Sequence, residues 1–255
     1  MNFKREFFKS IDSTNDYAKR LVEKEDVEPT LIIADTQTSG RGRGEHIWES
    51  SNDGNIYCSY LYKISISPKY LPIITLVTAV GIIRALNEIL ENGKDKTFKL
   101  EIKWPNDILL NGKKIAGILT ELVQRGADYY VIIGTGINVS WDTEDIKRAN
   151  LPYAGAINQI MSLSLSKEYV QESMEDNLGR IFDDFLKTCS FDMFFEEYNS
   201  HLINKDKILY YTQNNIEKSG LCLGINKAGE LLVKDNDMVN KIVSGEVNIR
   251  GVYGY

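Results

Sequence analysis

One short segment of the chain, QTSGRGRGEHIW, combines residue types that suit an anionic ligand. Gly40, Gly42 and Gly44 alternate there with Arg41 and Arg43. Arginine offers forked donors for carboxylate and phosphate groups, and glycine lets a ligand approach the backbone closely. The segment could therefore wrap an anion. It could also be a solvated turn or an RGG-like contact with RNA phosphates, and the segment alone leaves these three interpretations open.

A second segment, KWPND, places a lysine where its charge could enter a cleft. Lys103 ends a short apolar run and precedes Pro105 and Asn106, which favour a turn. Trp104 is interpreted as a core residue rather than as a platform for a ligand. Asp107 is either a turn residue or a ligand for a metal that accompanies phosphate, and both interpretations stay open.

A third segment, GTGIN, carries a glycine pair directly after an apolar run. Gly134 and Gly136 either relieve crowding in a strand or let a ligand lie flat against the backbone. The chain contains neither a G-x-G-x-x-G fingerprint followed by a helix nor a Walker A sequence. A dinucleotide-binding unit is therefore disfavoured, and any nucleotide must be bound in another way.

The composition of the 255 residues is that of a globular protein, with 43% hydrophobic and 26% charged residues. The net charge of −6 argues against a broad nucleic-acid-binding face. The 3 cysteines form no C-x-x-C pair, which disfavours a zinc site or a disulfide framework. No signal peptide is recognisable, and the apolar stretch Leu71–Ile83 is shorter than the about 20 residues of a membrane span. We therefore expect a cytoplasmic protein without membrane association.

Hydrophobic periodicity predicts the strands and helices that would position these segments. Ser13 is expected to cap a helix, with Asp16 completing a capping-box-like pattern, and Asn111-Gly112 between two apolar runs predicts a β-hairpin. The other predicted elements are strands over Thr30–Asp35, Gly54–Tyr62 and Tyr129–Val139, and helices over Thr75–Leu90, Ser166–Thr188 and Phe191–Leu202. Together they indicate an α/β domain.

The period of the apolar residues changes from helical to strand-like after about Asn204. Apolar and polar residues then alternate, beginning with Ile208 and Tyr210. Four or five short strands in about 50 residues predict a small β-barrel. We expect one domain over residues 1–204 and a second over residues 205–255.

Taken together and in this order, five segments resemble the biotin–protein ligase family, also called biotin–[acetyl-CoA-carboxylase] ligase. They are DSTN (12–15), QTSGRGRGEHIW (37–48), KWPNDILLNGKKIAGILTE (103–121), GTGIN (134–138) and SGEVNIR (244–250). The resemblance implies a mixed α/β sheet similar to that of class II aminoacyl-tRNA synthetases, followed by an SH3-like β-barrel. It resembles the single-function form, because the 11 residues before Asp12 are too few for an N-terminal DNA-binding domain.

The resemblance implies a two-step reaction. Biotin and ATP, with Mg²⁺ expected beside the nucleotide, form biotinyl-5′-AMP and pyrophosphate. A lysine of a biotin carboxyl carrier protein or domain then attacks this mixed anhydride and becomes biotinylated. A Gly-Arg loop that is mobile without ligand and ordered over the intermediate would protect it from water.

The resemblance also implies the site residues. Lys103, Arg41 and Arg43 would be catalytic, because positive charge must offset the repulsion between biotin carboxylate and phosphate. The implied biotin contacts are Ser13, Thr14, Asn15, Gln37, Gly40, Arg41, Arg43, Lys103, Gly117, Gly134 and Gly136. The implied ATP contacts are Arg41, Arg43, His46, Trp48, Lys103, Asn106, Asn138 and Arg250. The metal ligands stay open, with Asp107 as a candidate.

One stretch departs from the family pattern. Many members have a basic residue two positions before the tryptophan of the glycine loop, whereas this chain has His46 there, preceded by Glu45. A partial positive charge on His46 could replace the basic residue. Glu45 adds negative charge beside the expected phosphate site, which predicts that the adenylate is held less tightly.

Other classes of function predict different partners. A lipoate– or octanoate–protein ligase of the same broad fold is the nearest enzymatic alternative, and an RNA-binding module would leave KWPND, AGIL and GTGIN unexplained. A repressor role, and with it DNA binding, is disfavoured. A homodimer formed through an exposed sheet edge is plausible.

Overall fold

A seven-stranded mixed sheet organises the first half of the chain. The computed structural model describes residues 3–24, 27–44, 46–65, 67–91, 97–213, 216–243 and 247–249. In sheet order the strands are β1 (Lys4–Ile11), β2 (Thr30–Gln37), β3 (Ile56–Ile64), β7 (Asp128–Ile137), β6 (Lys113–Arg125), β5 (Asp107–Leu110) and β4 (Leu100–Lys103). β1 and β2 are parallel, and every other neighbouring pair is antiparallel.

The helices pack around this sheet. They are α1 (Thr14–Val22), α2 (Leu71–Glu91), α3 (Thr143–Arg148), α4 (Ile157–Met161), α5 (Lys167–Thr188) and α6 (Asp192–His201). Helix α2 contributes most to the core, where it packs against α5 and the sheet. A Cβ atom added to Gly81 would lie 2.6 Å from Leu178 Cδ2, so the glycine permits the close approach of α2 and α5.

Helix α2 is longer than the apolar stretch that the sequence suggested. Together with the turn before it, Pro68–Glu91 is long and apolar enough to cross a membrane by length and composition alone. However, 78% of its most apolar window is buried inside the protein. Packing in the core therefore accounts for its apolar residues, because a helix that is hydrophobic all round must be covered on every side.

Local sequence signals explain how several elements begin. Ser13 caps α1, since its hydroxyl oxygen accepts a hydrogen bond from Asp16 N at 3.4 Å. The Asp16 carboxylate does not return to the Ser13 backbone, whose N–H donates to Asp12 Oδ1 instead. The capping box is therefore only half formed. Asn111 and Gly112 both have positive φ, at 48° and 77°, as the tight turn between β5 and β6 requires.

A second, smaller antiparallel sheet follows α6. Its strands are β8 (Ile208–Gln213), β9 (Ile216–Ile225), β10 (Leu231–Asp235), β11 (Met238–Ile242) and β12 (Val247–Ile249), in the order β11-β10-β9-β8-β12. This sheet is consistent with the expected SH3-like domain. The predicted fold class, a mixed α/β domain with a small β-domain after it, is confirmed.

Hydrogen bonds connect the KWPND segment to the part of the chain that follows α6. Asn204 Oδ1 accepts from Trp104 N at 2.9 Å, and Gly229 O accepts from Trp104 Nε1 at 3.1 Å. Trp104 is buried, as expected for a core residue. The division at residues 204 and 205 lies between the end of α6 and the start of β8 and stays a prediction. Strand β1 and the short helices α3 and α4 were not anticipated from the sequence.

Candidate active site

A cavity of about 870 Å³ opens on one face of the seven-stranded sheet. This volume is within the range of small-molecule sites. Its walls are the first half of β6 with the end of β7, the start of α1, the KWPND segment and residues 150–154. The fifth wall is a short hairpin (residues 40–44 and 46–48), called the Gly-Arg hairpin below, in which Arg41 and Ile47 form an antiparallel bridge.

Strand register aligns several predicted residues across the sheet. Lys103 pairs with Asp107, Asp107 with Gly117, and Gly117 with Gly136, so these four residues form one row across β4, β5, β6 and β7. Two residues before Gly136 in β7, Gly134 lies between Ser59 of β3 and Leu119 of β6. A lysine and a floor of glycines therefore face one cavity.

The glycines of this floor give room to protein side chains. A Cβ atom on Gly136 would lie 2.4 Å from the indole of Trp48, and one on Gly117 would lie 2.7 Å from it. A Cβ atom on Gly134 would lie 2.2 Å from Asn15 Oδ1. The sequence anticipated ligand against these glycines, whereas the structure shows Trp48 and Asn15 in contact with them.

Buried hydrogen bonds fix the polar groups at the start of α1. Gln37 Oε1 accepts from Thr14 N at 2.9 Å, and Gln37 Nε2 donates to Ser50 Oγ at 2.9 Å. Asn15 Oδ1 accepts from Ser59 Oγ at 2.6 Å. Ser59 was not predicted as a site residue, because its position beneath Thr14 and Asn15 depends on contacts 44 and 45 residues apart.

The two arginines of the Gly-Arg hairpin lie in different surroundings. Arg41 Nη1 contacts Asp16 Oδ1 at 2.7 Å and Glu121 Oε1 at 3.2 Å. Although burial opposes its charge, Glu121 and Asp16 keep the pKa of Arg41 above its usual value. Arg43 reaches toward the KWPND segment, where its Nη1 lies 3.4 Å from Asn106 Oδ1.

A lysine outside the predicted set also lines the cavity. Lys114 Nζ lies 2.7 Å from Asp107 Oδ1 and 5.3 Å from the centroid of the Trp48 ring. The backbone of Lys114 also holds residues 150–154 beside the cavity, because Lys114 N donates to Tyr153 O at 2.8 Å. Its position three residues before Gly117 was the signal that could have identified it.

Two polar atoms beside the cavity lack a partner. Asn138 Oδ1 and Trp48 Nε1 are buried and make no hydrogen bond within the described part of the chain. The other end of the Asn138 amide is fixed, because its Nδ2 donates to Gly155 O at 3.0 Å. An acceptor and a donor beside the cavity are therefore left unsatisfied, whereas buried polar groups normally have a partner.

Most predicted residues meet at this cavity. Those that line it are Ser13, Thr14, Asn15, Gln37, Arg41, Arg43, His46, Trp48, Lys103, Asn106, Asp107, Gly117, Gly134, Gly136 and Asn138. Gly40 is not among the lining residues, because it packs behind the wall against Trp48 O and Ser50 Oγ. Arg250 and Glu45 lie outside the described residues.

A metal held by the protein alone does not fit this site. No group of three or more His, Cys, Asp or Glu residues that could hold a metal ion occurs in the described ranges. Asp107, the candidate ligand, is paired with Lys114.

Cys58 also lines the cavity, but burial raises the pKa of its thiol to about 12. It is therefore not a thiolate nucleophile at neutral pH.

The fold and the site together define an enzyme with a basic, ligand-sized pocket on a mixed sheet. A model of the Biotin/lipoate A/B protein ligase family matches residues 7–138, which is more than half of the chain. The chain belongs to this family.

Individual proteins show the same likeness. The bifunctional ligase/repressor BirA of Bacillus subtilis is 29% identical over 240 residues, covering 94% of this chain and 72% of that protein. The biotin–[acetyl-CoA-carboxylase] ligase of Mycobacterium tuberculosis is 29% identical over 136 residues, covering 52% of this chain and 48% of that one. The structure of Aquifex aeolicus biotin protein ligase with biotin and ATP superposes with a TM-score of 0.78 at 27% identity, covering 97% of this chain and 98% of the other.

Proposed function

We propose that this chain is an ATP-dependent biotin–protein ligase, which forms biotinyl-5′-AMP and transfers biotin to a lysine of a biotin carboxyl carrier domain. The observation that supports this most directly is the meeting of Lys103, Lys114 and Arg43 at one cavity with a glycine floor. The names of the relatives support biotin rather than lipoate as the substrate.

In the first step, a carboxylate oxygen of biotin attacks the α-phosphorus of ATP. The new P–O bond forms biotinyl-5′-AMP, and pyrophosphate leaves. Two anions must approach each other, so the positive charges of Lys103, Lys114 and Arg43 lower the barrier by neutralising them in a partly enclosed cavity. Mg²⁺ is expected to accompany ATP and to bind its phosphates, without a cluster of protein ligands.

The ureido ring of biotin is expected at the α1 end of the cavity. Ser13 and Thr14 are almost fully buried there and supply hydroxyl groups. The Asn15 amide is already occupied, since Ser59 donates to its oxygen and its Nδ2 donates to Glu121 Oε2 at 2.9 Å. The Thr14 hydroxyl is occupied as well, since it donates to Gln37 Oε1 and accepts from Ser59 Oγ. Asn15 and Thr14 therefore shape the wall, and Ser13, whose hydroxyl oxygen accepts from Asp16 N, is the better candidate for direct contact. A site built in this way discriminates against analogues that lack the polar groups.

The nucleotide is expected at the opposite end. Asn138 Oδ1 can accept from an exocyclic amine, and the Trp48 indole N–H can donate to a ring nitrogen or a phosphate. In the second step, the amine of the carrier lysine attacks the carbonyl carbon of the anhydride. AMP leaves, the amine loses a proton, and an amide bond remains.

The decisive experiment is mass spectrometry of a carboxyl carrier acceptor after incubation with the protein, ATP, Mg²⁺ and biotin. We expect the mass of one biotinyl group on one lysine. Lys103→Ala should abolish biotin-dependent ATP–pyrophosphate exchange while its circular dichroism matches that of the wild type. Modification with lipoate but not biotin would contradict the proposal, and so would wild-type exchange in the variant.

Several finer points remain predictions with their own tests. Size-exclusion chromatography will test the homodimer, for which β1 supplies an outer strand of the sheet. A gel-shift assay with duplex DNA will test the expected lack of DNA binding. A cytoplasmic location and the ordering of the Gly-Arg hairpin on ligand binding also stay predictions.

A further inference from the structure

Four charged side chains, Asp16, Lys19, Arg41 and Glu121, form a cluster beside the cavity. Lys19 Nζ lies 3.1 Å from Asp16 Oδ1 and 2.8 Å from Glu121 Oε1. Arg41 Nη1 contacts the same two carboxylates at 2.7 and 3.2 Å. Two cations therefore share two anions, and the charges of the cluster balance.

Glu121 differs from Asp16 in having a third partner. Its Oε2 accepts from Asn15 Nδ2 at 2.9 Å and from Arg41 Nη1 at 3.4 Å, while its Oε1 lies 2.8 Å from Lys19 Nζ and 3.2 Å from Arg41 Nη1. The side chain of Glu121 is 19% exposed, so its contacts are only partly screened by water. The Glu121 carboxylate thus connects the Gly-Arg hairpin to the buried amide of Asn15. Asn15 belongs to the cavity lining at the start of α1, called the α1 wall below.

The amide of Asn15 has one orientation as a result. Its oxygen accepts from Ser59, and its nitrogen donates to Glu121 and, at 3.3 Å, to Leu119 O. Rotating the amide would place two oxygens against each other at Glu121 and would leave Ser59 without its acceptor. Because Asn15 is 3% exposed, water could not replace these partners.

Arg41 has a different relation to Glu121. Its Nη1 contacts two carboxylates, so moving this nitrogen to a phosphate breaks both contacts. Lys19 contacts both carboxylates and stays beside them when Arg41 moves. Leaving is therefore less costly than breaking an isolated pair, because neither carboxylate loses all of its positive neighbours.

We propose that Glu121 is a positioning residue with two separable actions. Through Oε2 it fixes the Asn15 amide in the wall that receives biotin. Through its negative charge, together with that of Asp16, it holds Arg41 until an anionic ligand takes this arginine, while Lys19 keeps the carboxylates neutralised. This inference rests on the proposed function, since it assigns biotin to the α1 wall and phosphate to Arg41.

Three variants separate the two actions. Glu121→Ala removes both actions, and Glu121→Gln keeps an acceptor for Asn15 but removes the charge. Asp16→Asn weakens the contacts with Arg41 and Lys19 and leaves the hydrogen bonds of Asn15 in place. The dissociation constant of biotin is measured by calorimetry without ATP, and the KM for ATP by pyrophosphate exchange. Thermal unfolding checks that each variant folds, and Glu121→Gln carries the test if Glu121→Ala does not fold.

We expect Glu121→Ala to raise the dissociation constant of biotin about tenfold, which corresponds to one lost buried hydrogen bond. Glu121→Gln should restore biotin binding to within about threefold of the wild type, because the amide oxygen of the glutamine replaces the carboxylate oxygen as the acceptor for Asn15 Nδ2. Both Glu121→Gln and Asp16→Asn should lower the KM for ATP by about threefold, because only one of the two carboxylates then competes with phosphate for Arg41.

Specific results would overturn the inference. Equal biotin affinity in Glu121→Ala and the wild type would show that Asn15 needs no such support. An unchanged KM for ATP in both Glu121→Gln and Asp16→Asn would show that Arg41 is not held back. Failure of the wild type itself to bind biotin would refute the proposed function instead, so the two failures are distinguishable.

Discussion

The α1 wall of the cavity and the Gly-Arg hairpin that faces it satisfy their polar groups in different ways. Thr14, Asn15 and Gln37 bond to one another or to neighbouring buried groups, at distances of 2.6 to 3.3 Å. In the hairpin, Arg41 contacts carboxylates at the cavity edge, and Arg43 has a long contact of 3.4 Å with Asn106. Both walls are polar, but only the α1 wall satisfies its polar groups through its own network of hydrogen bonds.

This difference separates selectivity from charge neutralisation. A wall whose hydrogen bonds are all made within the protein keeps its shape before ligand arrives, which favours one ligand over its analogues. Long side chains on a glycine-rich hairpin can follow charge as it moves during the reaction. The sheet with Lys103, Gly117 and Gly136 belongs with the fixed wall, because strand pairing determines its register.

After the loss of exchange expected in Lys103→Ala, the next largest effect tests whether the fixed cations contribute more to catalysis than those of the hairpin. Lys114→Ala should lower the rate of adenylate formation about 10²- to 10³-fold, as expected when one fixed donor to developing charge is lost. Arg43→Ala should lower it about tenfold, because an adaptable side chain gives less transition-state stabilisation. Single-turnover pyrophosphate release measures both rates.

The neighbouring Lys113 provides a matched control for Lys114. Its Nζ bonds to Pro152 O on the exposed surface, and it is not among the residues that line the cavity. Lys113→Ala should therefore change the rate by less than about twofold, as surface substitutions usually do. Equal losses of rate in Lys114→Ala and Arg43→Ala would show that a fixed cation of the sheet contributes no more to adenylate formation than a cation of the Gly-Arg hairpin.

How far the sequence predicts this site depends on the range of the contacts involved. The Asn111-Gly112 hairpin and the Ser13 cap were predictable, because each depends on residues within a few positions. Glu121 was not, since its contacts with Asn15 and Arg41 join residues 106 and 80 positions apart. Gly40 belonged to a recognisable motif, yet its neighbours Trp48 and Ser50 place it behind the cavity wall.

The same reasoning applies to the fold. Strand β1 was missed because KREFFKSI at the sheet border has exposed and partly buried residues without a clear apolar alternation. Strands β2, β3 and β7 are buried between neighbours, so their apolar runs were recognisable. Packing against distant parts of the chain decides what local sequence patterns leave undetermined.

A second prediction tests the rigidity of the α1 wall. Gly134→Ala would place a Cβ atom 2.2 Å from Asn15 Oδ1, and Asn15 is held by three hydrogen bonds. We expect a loss of about 1–3 kcal/mol in the free energy of unfolding, as for overpacking of a core, and a biotin affinity weakened at least about tenfold. Urea unfolding and calorimetry measure the two quantities.

The control for that substitution is another glycine with free space. A Cβ atom on Gly179 of α5 would meet no atom within 4 Å. Gly179→Ala should therefore stabilise the protein by about 0.5–1 kcal/mol through helix propensity and leave biotin binding unchanged. If Gly134→Ala bound biotin as well as Gly179→Ala, the wall could not be rigid.

The smallest expected effect concerns Asp12, which directly precedes the α1 wall. Asp12 accepts from Ser13 N at 2.8 Å and from both terminal nitrogens of Arg20 at 2.7 and 2.8 Å. The bond to Arg20 lowers the pKa of Asp12 from 3.8 to about 2. A carboxyl with a depressed pKa stabilises the fold above its ordinary pKa, and this stabilisation is lost as the pH falls toward 2.

Asp12→Asn keeps the shape of the side chain and removes its charge. Because the Asp12–Arg20 pair is about half exposed, the substitution should lower the free energy of unfolding by no more than about 1 kcal/mol at pH 7. The difference from the wild type should stay constant above about pH 5 and shrink between pH 3.8 and pH 2, the interval set by the two pKa values of Asp12. Urea unfolding at a series of pH values measures it. A difference that persisted unchanged at pH 2 would mean that the shape of this side chain, and not its charge, secures the start of the fixed wall.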